Sequence, residues 1–97
     1  MYAAALRVEL RMRGIRSLKA KRNILRSLVA DLIRKFPVSI AEVDHQNLWQ
    51  RTAIGFAVVA PQAGQLERLL HSIERALRNR AEVEVLRSSV GYLEDPM

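Results

Sequence analysis

Ninety-seven residues with 49% hydrophobic side chains and no cysteine suit one globular domain spanning 1–97, and exclude a disulfide framework or a thiolate metal site. The net charge of +6 is uneven: residues 1–36 hold ten Lys/Arg against two acidic residues, and residues 37–97 hold six against eight. Such a local excess suits a polyanion-binding face; a GC-rich genome would explain thirteen Arg against three Lys, but not their crowding into one third of the chain.

From Tyr2 to Arg13 the pattern alternates, with Leu6, Val8, Leu10 and Met12 on one side and Arg7, Glu9, Arg11 and Arg13 on the other. This is a half-buried strand. Gly14 breaks it, and Ser17 is placed to cap a helix. From Leu18 to Phe36 the period becomes helical, with Leu18, Leu25, Leu28, Val29, Leu32, Ile33 and Phe36 on one stripe. Lys21 and Arg22 are expected at its edges, stems on apolar surface and charges in water. Pro37 ends the helix.

Val38 to Asp44 alternates imperfectly, which predicts a short strand with a bulge or an edge position. A polar stretch, Asp44 to Gln50, leads to a strand over Arg51 to Ala60. There Ile54, Phe56 and Val58 alternate with Ala53, Gly55, Ala57 and Val59, as a central strand would. After Pro61 and Gly64 a second amphipathic helix is predicted from Gln65 to Arg80, with Leu66, Leu69, Leu70, Ile73, Ala76 and Leu77 inward. A last strand runs from Glu82 to Tyr92, and the acidic tail (Glu94, Asp95, Pro96) is expected to fray.

The order β-α-β-β-α-β is the split βαβ, ferredoxin-like module. The predicted fold is α+β: a four-stranded antiparallel sheet, strands 1 and 3 central, with two helices on one face. Met1 to Leu6 is too short for a signal-peptide core, and Ala53 to Ala60 falls far short of the ~20 residues that span a bilayer. The expected location is cytoplasmic, with no membrane partner.

Two stretches carry a family resemblance: Arg16-Ser17-Leu18-Lys19-Ala20-Lys21-Arg22, and Ala41-Glu42-Val43-Asp44-His45-Gln46-Asn47-Leu48-Trp49-Gln50-Arg51. With the element order, they resemble the YlxP-like family of small bacterial proteins, a domain of unknown function. The resemblance implies a ferredoxin-like fold and a gene often set among those for transcription antitermination, translation initiation and small-subunit maturation. It implies no catalytic residue. Ala20 stands where the family commonly has Glu, so the capping box with Ser17 is incomplete. Asn47 stands where Asp is common, which weakens any carboxylate metal site in that loop.

The Arg13-Gly14-Ile15-Arg16-Ser17 turn enters a helix N-terminus, where free N–H groups and the dipole favour an anion. The expected nucleic-acid contacts are Arg11, Arg13, Arg16, Lys19, Arg22 and Arg26. Acylphosphatases share this fold and use an Arg with backbone donors after strand 1, but their denser glycine pattern is missing and that activity is not expected. Of five aromatic residues, only Phe56 is placed centrally on the open sheet face. No base-stacking motif is therefore readable there, and contact is expected with phosphates and shape rather than base edges.

Glu42, Asp44 and His45 lack a nucleophile or converging ligands, and His71 lies on the outer face of helix 2. They are expected to make local turn hydrogen bonds, with Trp49 a plug between loop and sheet. Neither a catalytic site, a metal site, a cofactor nor a small-molecule substrate is expected. Ala3, Ala5, Ala57 and Val59 make the open face apolar enough to be covered by a second copy. The leading reading is a non-enzymatic accessory protein contacting RNA or the ribosome through strand 1, the turn and helix 1. The alternative is a homo-oligomeric interaction module using the open face.

Overall fold

The alternating start of the chain forms β1, Tyr2–Met12, in a computed structural model that describes residues 1–93. The predicted fraying of Glu94, Asp95 and Pro96 lies outside the described residues. The other strands are β2, Ser39–Asp44, β3, Arg51–Ala60, and β4, Val83–Tyr92; the helices are α1, Leu18–Lys35, and α2, Ala63–Arg78. The sheet order is β2-β3-β1-β4 and every pairing is antiparallel, the predicted ferredoxin-like arrangement with β1 and β3 central.

Period-2 alternation sets the two faces. Leu6, Val8 and Leu10 of β1 lie opposite Phe56, Ile54 and Thr52 of β3, and all six are buried. Leu25, Leu28 and Leu32 of α1 and Leu66, Leu70, Ile73 and Leu77 of α2 join the same cluster. Both helices therefore cover this one face, and the opposite face is open.

Local chemistry sets the helix ends. Ser17 Oγ accepts the Ala20 N–H at 3.1 Å, the predicted N-cap. Ahead of Pro37, Phe36 is already extended, with φ −132° and ψ 140°, as steric conflict with a following proline requires. α2 begins two residues before its predicted start and has no side-chain cap at Gln62. The broken alternation of β2 is a bulge between Glu42 and Asp44.

Three sequence expectations are corrected. Phe56 is 2% exposed and belongs to the helix-covered face, since it shares the parity of Ile54 and Val58. Ile33, placed in the α1 stripe, is 52% exposed; at ~100° per residue it lies about 80° from Leu25, at the margin of the buried stripe. Lys21, expected at a wet edge, is 1% exposed, because the same count sets it between Leu25 and Leu28.

Candidate nucleic-acid interface

Between Leu10 and Ala30 the chain holds seven Lys/Arg and no acidic residue. Gly14 carries the turn through the left-handed region at φ 68°, which glycine enters without a Cβ penalty. Arg13, Arg16, Lys19, Arg22 and Arg26 are all exposed. Among the described residues none of the five is in an ion pair. Helical spacing puts Lys19, Arg22 and Arg26 on one outer stripe of α1, continuous with the turn that presents Arg13 and Arg16.

Two of the seven cations between Leu10 and Ala30 stand apart from that surface. Arg11 has the parity of the open sheet face, lies opposite Arg51 in register and reaches Glu84 at 3.5 Å. The structure thus separates Arg11 from the other five predicted contacts. Lys21 turns inward, and its Nζ sits 3.0 Å from Glu42 Oε2 and 2.7 Å from the His45 carbonyl. Thr52, fully buried, donates its hydroxyl to the same Glu42 oxygen at 2.6 Å.

The buried lysine also organises the β2–β3 connection. His45 adopts φ 62°, and its carbonyl accepts both Lys21 Nζ and the Leu48 N–H, the latter at 3.1 Å. Gln50 fastens the far end: its carbonyl accepts the Met12 N–H at 2.8 Å and its side-chain amide donates to the Ile15 carbonyl at 3.4 Å. The loop is held against the basic turn, and Trp49 stands outward, 51% exposed. The expected hydrophobic plug is corrected: the loop is braced by backbone groups, Lys21 and Gln50, while the indole is half exposed.

Glu42, Asp44 and His45 do more than make local turn bonds. His45 Nε2 lies 3.0 Å from Glu9 Oε1 on the open face, and Arg7 Nη2 donates to Asp44 Oδ2 at 3.1 Å. The hydrogen bond from His45 and the nearby Arg7 charge hold the Glu9 carboxyl below its ordinary range. For Asp44 the His45 backbone N–H is the largest cause, followed by Arg7, and its carboxyl is lowered too. The cluster closes over Ala53, which is fully buried despite its open-face parity. Among the described residues no group of three or more His, Cys, Asp or Glu is placed to hold a metal ion.

Beyond that cluster and the Arg11–Glu84 pair, the open face is floored at its centre by small side chains. A shallow depression of about 680 Å³ crosses the strands, floored by Ala5, Ala41, Gly55, Ala57 and Gly91. Val59, on the same parity as Ala57, is 60% exposed. No described helix is long and apolar enough to cross a membrane.

These features define a ferredoxin-like α+β domain with a basic turn and helix on one side and an open sheet with a shallow apolar depression on the other. The chain belongs to the family described as "Protein of unknown function (DUF503)", whose profile matches residues 3–90. Among curated proteins it is similar to "Uncharacterized protein YlxP" of Bacillus subtilis (strain 168), at 37% identity over 68 residues, or 70% of this chain and 74% of that protein. The YlxP-like resemblance read from the Arg16–Arg22 and Ala41–Arg51 motifs is borne out.

Proposed function

We propose that this domain is a non-enzymatic accessory protein that grips RNA, free or within the ribosome, by its phosphates. One observation carries the reading: five exposed cations (Arg13, Arg16, Lys19, Arg22, Arg26), free of ion pairs among the described residues, line one turn and one helix face without an intervening acid. Unneutralised guanidinium and ammonium groups on one surface are suited to contact phosphates, and their binding releases condensed counterions. The N-terminus of α1 has no acidic residue in its first turn, so its dipole adds to the same field. Cell lysates fractionated across a salt series supply the test. The protein should travel with ribosomal or other RNA-bearing fractions at low salt, and leave them steeply as salt rises. Its absence from every RNA-bearing fraction at physiological salt would remove the reading.

The apolar depression on the open face supports a second reading, self-association. Small side chains at the centre of the sheet allow close approach of a second sheet, and Val59 offers a projecting side chain beside them. Light scattering at micromolar concentration should give a dimer that Val59→Glu converts to monomer. A monomeric parent protein would exclude it.

A further inference from the structure

The exposed indole beside the basic turn carries the proposed function to a narrower substrate class. Gln50 is hydrogen bonded to Met12 and to Ile15, so Trp49 is one Cα step, about 3.8 Å, from a residue that touches the chain on both sides of Arg13. The loop is also anchored at its other end by the His45 carbonyl on buried Lys21. A tryptophan half exposed on a frayed tip would need no explanation. Here four hydrogen bonds brace the loop around a side chain that is half exposed, with exposed Leu48 beside it. Asn47, Leu48, Trp49, Gln50 and Arg51 border a shallow cavity of about 390 Å³. No charged residue occurs between His45 and Gln50, and Gln50 ties this uncharged stretch to Met12 and Ile15, the residues that flank Arg13 and Gly14.

We infer that Trp49 is a stacking platform for an unpaired base, and that the ligand is single-stranded RNA with its flanking phosphates held by Arg13 and Arg16. This rests on the phosphate-contact reading above. Every base has a π-face, so such a platform accepts many sequences while discriminating against duplexes, whose bases are already stacked. It also supplies what the open sheet face lacks, since Phe56 is in the core.

Trp49 is the chain's one tryptophan, so indole emission, excited where tyrosine does not absorb, reports on this site alone. Three probes of equal phosphate number separate the possibilities: a short oligoadenylate RNA, an abasic oligomer and an RNA duplex. Oligoadenylate should quench the indole strongly, while the abasic oligomer and the duplex should leave it nearly unchanged. By fluorescence anisotropy of labelled oligoadenylate, Trp49→Ala should weaken binding by about 5- to 150-fold with the salt slope intact. Trp49→Phe should keep most of the affinity, which also guards against a folding defect. Salt-dependent oligoadenylate binding that neither quenches Trp49 nor responds to Trp49→Ala would overturn the stacking inference and leave phosphate contact standing. Equal quenching by the abasic oligomer would overturn it as well. Failure of all three probes to bind would remove both readings.

Discussion

Glu42→Ala tests how far the buried lysine governs the molecule. The substitution deletes the carboxylate 3.0 Å from Lys21 Nζ, leaving a 1% exposed ammonium with the His45 carbonyl as its remaining partner among the described residues. Removing one member of a buried ion pair costs about 3–5 kcal/mol. Glu42 is itself 22% exposed, so water screens its side of the pair and the low end, ~3 kcal/mol, applies. In a domain of this size each kcal/mol moves Tm by roughly 4–8 °C, which predicts a fall of about 12–24 °C, measured by thermal unfolding in far-UV circular dichroism. The double variant Lys21→Met, Glu42→Leu removes both charges and should recover most of the loss. It should stay about 1 kcal/mol short, because the buried Thr52 hydroxyl loses its acceptor. A Glu42→Ala cost below about 0.5 kcal/mol, the range of an ordinary surface substitution, would refute the reasoning.

Two further outcomes follow from the geometry. The carboxyls of Glu9, Asp31 and Asp44 are all lowered from their ordinary values, the first by His45, the second by the Arg80 hydrogen bond and the third by the His45 backbone N–H. Their folded values lie below their unfolded ones, so their contribution is complete above about pH 5 and is lost as pH falls through the folded values. Urea midpoints measured from neutral to acidic pH should decline below about pH 5, and Glu9→Gln should flatten part of that decline. Ser17→Ala removes the acceptor of the Ala20 N–H and should cost about 1 kcal/mol in the same urea titration; no measurable change would mean water replaces the cap fully.

Most of the fold was legible because β1 and the two helices state their periods without ambiguity. Alternation placed Leu6, Val8 and Leu10 inside, and the helical repeat placed Leu25, Leu28 and Leu32. Phe56 is hard to place because its aromatic chemistry suits an open face, whereas its parity with Ile54 and Val58 turns it inward. Lys21 is hard to place because lysine is almost never fully buried without a partner, and its partner lies 21 residues away. A signal did exist: Glu42 shares the parity of inward-facing Ile40, and Lys21 falls inside the apolar stripe. Two opposite charges on two inward faces call for each other. The exposure of Trp49 had no local signature. It depends on where Lys21 and Gln50 pin the loop, a tertiary fact that neither spacing nor composition contains. Arg11 is near the other cations in sequence, whereas strand parity turns it to the open sheet face.

The central claim, phosphate contact through the turn and α1, is tested most directly by two double variants compared across a salt series. Arg13→Ala with Arg16→Ala should weaken RNA binding for all sequences alike. The same variant should flatten the log–log salt slope by about one to two units, at roughly −0.7 per phosphate for single strands. Arg75→Ala with Arg78→Ala removes equal charge from α2, where Glu67 and Glu74 are interspersed, and should change little. This comparison controls for the loose attraction that a net charge of +6 gives any such protein at low salt. A selective loss in the first variant is the predicted result; equal losses in both would contradict the claim.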